Sequence, residues 1–230
     1  MTTINKSILV GVALLLTSTV SWADSTPANS VRVGAYYIQY SVKADDLSGP
    51  LTPPGLNATL KSTTTVYFAY VRRLDPHFQV ELALGIPPKT TTTAKGPATV
   101  GSVPFDGQDI LTAKWVSPTV LLEYVFFDES ARLRPFIGIG VNHTAFTVRR
   151  ITDAGERIVG GPSTVSISSS TGIAGTVGLS YQVKDAWHIY GSYSMSQVKS
   201  DVNVDTLGVN RSTHINFGPR AFVLSVGYSF

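Results

Sequence analysis

Two glutamates, Glu81 and Glu123, each lie on the less apolar face of an alternating segment, a few residues from a short polar turn. On adjacent strands of one sheet, such positions would lie at a similar height. Two carboxylates enclosed in a protein interior require cations, and Arg32 and Arg73 are candidates from neighbouring segments. This set of four could act as an ion-selecting gate. It could also be a structural charge network that fills a narrow interior, which is the interpretation we favour.

Signals for catalysis are weak. The histidines lack metal-ligand spacing; they are His77, His143, His188 and His214. The chain has no cysteine, which excludes thiolate metal sites and thiol catalysis. The stretch Gly138-Ile139-Gly140 lacks the third glycine of a dinucleotide fingerprint, and we interpret its glycines as small residues in a tight interior. The sequence therefore predicts no enzyme, catalytic residue, metal or cofactor.

The first residues predict export. Lys6 precedes an apolar run from Ile8 to Leu16, and the small residues Ser21 and Ala23 flank Trp22. This order is typical of a signal peptide cleaved after Ala23. A membrane-anchor helix is the alternative, but the run is shorter than the roughly 20 residues that a span requires. We therefore predict a signal peptide at residues 1–23 and a single domain at residues 24–230.

The composition favours a membrane form without helices. Charged residues make up 14% of the chain, against roughly 25% in ordinary soluble domains. No stretch after residue 23 is apolar for long enough to form a spanning helix. The formal net charge is +3 and no basic run exceeds two residues, which argues against a nucleic-acid partner. An exported chain of this kind indicates a closed β-barrel.

Eight segments alternate with period two, as strands with one apolar face do. They cover about residues 31–42, 62–73, 78–86, 112–127, 134–148, 172–183, 187–202 and 221–230. Short polar turns join three pairs, at residues 74–77, 128–131 and 184–186. The other connections are long, at about residues 43–61, 87–111, 149–171 and 203–214. Short turns on one rim and long loops on the other are typical of outer-membrane barrels.

A soluble ligand-carrying barrel of the lipocalin type is the main structural alternative. Its outer face would meet water and carry charges, yet the less apolar face of residues 172–183 has none. Small residues fit the cramped interior of an eight-stranded barrel. The predicted fold is thus all-β: an eight-stranded antiparallel transmembrane β-barrel with short periplasmic turns and long extracellular loops.

Several large apolar side chains also fall on the face assigned to the lumen: Trp115, Leu121, Phe136 and Phe146. They could line a path for an apolar ligand or simply pack the interior. Pro118 lies in the middle of a predicted strand. Because proline donates no ladder hydrogen bond, the barrel wall should be interrupted there, by a bulge or by an opening.

The last segment is expected to close the barrel by pairing with the first. Phe222, Leu224 and Val226 would face lipid, while Tyr228 and Phe230 would lie at the periplasmic interface. The small residues between them would face the lumen.

The sequence resembles the OmpW family of small bacterial outer-membrane barrels. The likeness is carried by VELALGIPPK at 80–89, KWVSPTVLLEYVF at 114–126, RLRPFIGIGVNHTAF at 132–146, AGTVGLSYQV at 174–183 and FVLSVGYSF at 222–230. The resemblance implies eight strands around a narrow, largely apolar channel. It also implies that Tyr228 and Phe230 form the assembly signal read by the barrel-assembly machinery. Family members commonly have two prolines where this chain has Ser117 and Pro118.

From this resemblance we expect a bacterial outer-membrane channel for passive uptake of small hydrophobic molecules. Pro118 would mark a lateral opening through which solutes leave the barrel. The expected partners are outer-membrane lipid, small hydrophobic solutes and, during biogenesis, the barrel-assembly machinery. The alternative is a structural or surface-recognition protein with a plugged lumen and partner-binding loops.

Overall fold

The computed structural model describes residues 27–100 and 102–230, so the predicted signal peptide lies outside the described residues. In chain order the strands are β1 (Asn29–Tyr40), β2 (Lys43–Ala44), β3 (Asn57–Leu60), β4 (Thr63–Arg73), β5 (Phe78–Gly85), β6 (Lys89–Lys95), β7 (Thr99–Val100), β8 (Val103–Pro104), β9 (Asp109–Val116), β10 (Thr119–Val125), β11 (Leu133–Ile151), β12 (Ser163–Ile167), β13 (Ser170–Lys184), β14 (Trp187–Ser196), β15 (Lys199–Thr206), β16 (Val209–Asn216) and β17 (Pro219–Ser229). One helix, α1 (Asp153–Val159), lies between β11 and β12.

Eight of these strands form a closed antiparallel barrel. Around the ring the order is β1, β4, β5, β10, β11, β13, β14 and β17, and the last strand pairs with the first. The closing register runs from Ser30 opposite Ser229 to Tyr40 opposite Pro219. The predicted fold class is confirmed.

The period-two pattern determines which side chains enter the barrel. On β17, Phe222, Leu224 and Val226 point outward and are exposed, whereas Val223 and Ser225 are buried. The same alternation on β11 exposes the outward isoleucines and buries Phe136. On β1, whose faces the sequence did not predict, the inward set is Ser30, Arg32, Gly34, Tyr36, Ile38 and Tyr40. Every barrel strand therefore offers an apolar outer face.

The three short turns lie together on one rim. Between β4 and β5, the Asp75 carboxylate accepts the backbone N–H groups of His77 at 2.7 Å and Phe78 at 2.8 Å. These donors, that of His77 first, hold the pKa of the Asp75 carboxyl below its usual value. Such a side-chain cap orders the chain reversal that brings β5 back along β4.

The four long connections are largely regular structure, which the sequence did not predict. Strands β3, β6 and β9 extend the barrel sheet along the upper part of β11, and β12, β15, β16 and β2 form a second sheet. Two predicted segments are each split: residues 112–127 into β9 and β10, and residues 187–202 into β14 and β15. The Thr- and Val-rich stretches alternate, and their inward side chains, such as Thr92, Val202 and Ile215, are buried.

Helix α1 caps this upper region. Its N-cap is Thr152, whose hydroxyl accepts the N–H of Gly155 at 3.0 Å, and it ends at Gly160 with a left-handed φ of 97°. Within the described ranges, no helix has the length and apolarity to cross a membrane.

Deletion of Phe230 tests the seam between the first and last barrel strands. The N–H of Phe230 donates to the carbonyl of Asn29 at 2.8 Å. The N–H of Asn29 donates in return to the main-chain oxygen of Phe230 at 3.2 Å. Losing these bonds should cost the folded barrel only about 1–3 kcal/mol. Assembly in cells should fall much further if the residue is also read as an assembly signal. The yield of folded protein in the outer membrane measures assembly, and the melting temperature of refolded protein in detergent measures stability. A loss of yield no larger than the loss of stability explains would contradict the signal role.

Candidate functional site

A buried charge network crosses the lumen in its part nearer the short turns. Arg32 of β1 pairs through Nη1 with Oε2 of Glu81 on β5. Its Nη2 lies 4.0 Å from Oε2 of Glu123 on β10. The three residues are 3%, 4% and 0% exposed, respectively. One guanidinium thus serves two carboxylates in a space that bulk water does not reach.

Neighbouring side chains extend the network. The Tyr67 hydroxyl donates to Oε1 of Glu81 at 2.5 Å, and Nε2 of Gln79 donates to Oε2 of Glu123 at 2.5 Å. The guanidinium carbon of Arg32 lies 3.8 Å from the ring centroid of Tyr190 and 5.7 Å from that of Phe136. Such stacking favours arginine over lysine at this position.

Gly227 makes the arrangement possible. A Cβ at this position would lie 2.5 Å from Cε2 of Tyr190 and 3.3 Å from Cγ of Arg32. The absent side chain therefore leaves the space in which the ring and the arginine stem pack together.

The structure brings together three of the four predicted network residues. Arg73 lies closer to the rim of short turns, where Nη1 contacts Oε1 of Glu129 at 2.6 Å and Nη2 donates to the Pro27 carbonyl at 2.8 Å. Its place in the network is corrected accordingly: on β4 it stands opposite Gln79, two residues from the pair of Val71 with Glu81. Sequence reasoning missed the contributions of Tyr67, Gln79 and Tyr190. Alternation alone would have placed all three in the lumen.

Above the network is an apolar chamber of about 130 Å³. Its walls come from the barrel and from the extension built by the long connections. The apolar side chains in its lining include Ile38, Leu56, Phe105, Leu111, Trp115, Phe146, Val202, Ile215 and Phe217. Polar groups in the lining bond to each other: Nε1 of Trp115 donates to Oγ1 of Thr90 at 2.9 Å, which lies 3.4 Å from the Tyr40 hydroxyl. This environment suits a small apolar molecule.

Below the network, near the short turns, is a polar cavity of about 120 Å³. Arg73, Gln79, Arg134 and His188 are among its lining residues. The charge network thus separates an apolar chamber from a polar one.

The four predicted path residues are divided by this barrier. Trp115 and Phe146 line the apolar chamber, and Leu121 lines a void of about 40 Å³ beside Glu81. Phe136 lines the polar cavity on the other side of Arg32. All four point into the lumen, but the structure does not join them into one path, because they lie at different heights along the barrel.

The barrel wall is interrupted beside Pro118, and only on one side. Pairing of β5 with β10 ends at Ala83 opposite Thr119, and pairing resumes between β6 and β9 at Lys89 opposite Lys114. Among the described residues, no ladder pair joins 84–88 to 115–118. On the other side the His143 N–H donates to the Pro118 carbonyl at 3.0 Å, and β11 pairs with both β9 and β10.

A cavity of about 30 Å³ lies in this interruption. It shares Tyr36, Trp115 and Ser117 with the lining of the apolar chamber. It is also lined by Leu84 and Ile86, which are 44% and 51% exposed on the outer surface. The inner side of the gap therefore adjoins the apolar chamber, and the outer side of the gap adjoins the apolar outer surface of the barrel.

A closed eight-stranded barrel with an apolar outer face, short turns on one rim and an extended opposite rim defines a small outer-membrane β-barrel protein. The chain belongs to the OmpW family, whose sequence model matches residues 30–230. Its location is accordingly the bacterial outer membrane, with the short turns periplasmic and the extension extracellular. Proteins of this family and fold are typically not enzymes.

Outer membrane protein W of Salmonella typhi is 33% identical over 122 residues, which cover 53% of this chain and 57% of that protein, little more than half its length. Outer membrane protein W of Vibrio cholerae is 23% identical over 227 residues, covering 98% of this chain and all of that one. The crystal structure of OprG from Pseudomonas aeruginosa superposes with a TM-score of 0.80 at 21% identity, over 89% of this chain and 96% of that chain. This likeness supports the fold.

Proposed function

We propose that this protein is a passive outer-membrane channel that admits small hydrophobic molecules and releases them sideways through the gap beside Pro118. The observation that carries the proposal is the position of the gap. It adjoins the apolar chamber through Trp115 and Ser117, and it ends at Leu84 and Ile86 on the membrane-facing surface. Membership of the OmpW family supports a small-molecule channel of this general kind.

The charge network argues for lateral release over passage straight down the lumen. A solute moving from the chamber to the polar cavity would have to separate Arg32 from Glu81 and Glu123. Removing one partner of a buried ion pair costs about 3–5 kcal/mol. The route past Leu84 and Ile86 breaks no ion pair and leads into lipid, where an apolar solute is more stable than in water.

A disulfide across the gap tests the route. The chain has no cysteine, so Ile86→Cys with Val116→Cys introduces a unique pair whose closure a shift in gel mobility reports. We expect oxidation to lower uptake of octane by cells, followed with an intracellular octane-oxidising reporter, and reduction to restore it. Leu82→Cys with Val120→Cys is the matched control, because it links the same two walls where they are already paired.

Two outcomes would contradict the proposal in different ways. Normal octane uptake through the oxidised Ile86–Val116 variant would exclude lateral release but leave a channel. Uptake no faster than in cells lacking the barrel would exclude the channel itself. The surface-recognition function would then be the better interpretation of the extracellular sheets.

A further inference from the structure

The apolar chamber contains one buried cationic side chain in its described lining. Arg211 lies on the inward face of β16, near the extracellular end of the chamber, and is 9% exposed. The acidic residue in the same lining is Asp45, which is exposed. A guanidinium in such an apolar wall requires a physical reason, because burying a charge without an opposite charge is costly.

The hydrogen-bond partners of Arg211 are hydroxyl groups. Its Nε donates to Oγ1 of Thr52 at 3.2 Å, and its Nη1 donates to Oγ1 of Thr206 at 3.4 Å. Across residues 27–100 and 102–230, no carboxylate oxygen lies within 4.0 Å of its nitrogens, and Nη2 makes no hydrogen bond. Arg32 and Lys61, by contrast, each contact a carboxylate.

The stem of Arg211 is held in place from the loop that follows β2. A Cβ on Gly49 would lie 3.2 Å from Cγ of Arg211 and 2.6 Å from the Asn210 carbonyl, so only glycine allows the loop to pack this closely. The same loop supplies Thr52, which contacts Nε. The guanidinium is therefore positioned by its surroundings although its charge is not neutralised.

We infer that Arg211 binds the anionic head of an amphipathic ligand, and that the chamber takes medium-chain carboxylates in preference to uncharged molecules. The inference rests on the proposed function of the chamber. The planar guanidinium presents two parallel N–H groups that match a carboxylate. A carboxylate here would supply the missing negative charge.

The chamber provides a place for the tail of such a ligand. Below Arg211, the inward face of β16 continues through Thr213 to Ile215, and the chain then reaches Phe217. The ring centroids of Phe217 and Phe146 lie 5.6 Å apart, and Trp115 pairs with Phe146 in the ladder between β9 and β11. An apolar tail with its head at Arg211 would therefore point toward the gap beside Trp115.

Fluorescence of Trp115 tests the inference directly. In a Trp187→Phe background, Trp115 is the tryptophan that remains in residues 24–230. With protein in neutral-lipid nanodiscs and empty nanodiscs subtracted, we expect octanoate to bind more tightly than 1-octanol, and octylammonium most weakly. Arg211→Gln should weaken octanoate binding by about 10- to 100-fold, the range for a hydrogen-bonded charged group, and leave octanol binding unchanged. Arg150→Gln is the control, because it removes an exposed cation of β11 that is not in the chamber lining.

The outcomes separate this inference from the proposed function. Equal binding of octanoate and octanol, unaffected by Arg211→Gln, would overturn the role of Arg211 but leave an apolar chamber. Binding of neither would contradict the chamber function itself. If Arg211→Gln does not fold, the parent protein provides the test. Its preference for octanoate over octanol must disappear when acid protonates octanoate. A preference that persists at low pH would refute the inference.

Discussion

Replacing Arg32 by methionine should strongly lower the melting temperature of the barrel. The substitution leaves Glu81 and Glu123 buried near each other without their shared cation. Breaking a buried ion pair by removing one partner typically costs about 3–5 kcal/mol. Loss of the heat-modifiable folded band on gels, followed against temperature in detergent, measures the effect.

Two further variants show whether charge is the cause. Glu81→Gln leaves Arg32 with Glu123 and should destabilise the barrel less than Arg32→Met. The double variant Arg32→Met with Glu81→Gln should recover part of the loss, because it removes one of the two stranded negative charges. Lys61→Met is the control: Lys61 and Asp109 form an exposed pair at 2.6 Å, and such pairs contribute roughly 0–1 kcal/mol.

The same measurements decide between the two interpretations of the network. A structural network predicts a large loss of stability. Unchanged melting of Arg32→Met, together with increased ion conductance in planar bilayers, would contradict that role and identify a gate instead.

The barrel could be predicted because its strands carry a strong contrast between faces. On most of β13 and β17 large apolar residues alternate with smaller ones, and the structure confirms that the larger set faces outward. Strand β1 offered no such contrast, since Tyr36, Tyr37 and Ile38 are consecutive. Their orientation is set by the neighbours: Ile38 is fully buried in the lumen, while the Tyr37 ring lies outside, tilted against that of Phe222 with the ring centroids 6.4 Å apart.

The upper half of the molecule could not be predicted in the same way. Residues 203–214 carry turn-forming and polar residues that locally favour a loop, yet they contribute to a sheet whose inner face packs over the chamber. Strand β15, which holds the first of these residues, pairs with β12, where Ser163 lies opposite Thr206, so their burial depends on a stretch much earlier in the chain. Arg211 therefore gave no signal as a site residue. Pro118 did indicate an interruption of the barrel wall. The interruption lies only on the side that faces β5, because Pro87 and Pro88 follow the end of β5 and cannot continue its pairing.

Replacing Ile38 by asparagine should destabilise the protein by about 3 kcal/mol or more, because it removes a buried apolar side chain and buries an amide. Ile38 is 0% exposed and lies in the lining of the apolar chamber. The amide would need hydrogen-bond partners in a chamber whose lining is mostly apolar. Melting in detergent measures the loss, and binding of 1-octanol should weaken in parallel.

Ile38→Val is the matched control for Ile38→Asn. It removes one methylene and should cost only about 0.5–1.5 kcal/mol, since the site stays apolar. If asparagine were tolerated as well as valine, water would have to reach this position and satisfy the amide. A chamber hydrated at Ile38 would give octane no advantage over a polar solute, so this comparison tests the physical basis of hydrophobic selectivity separately from the gap and from Arg211.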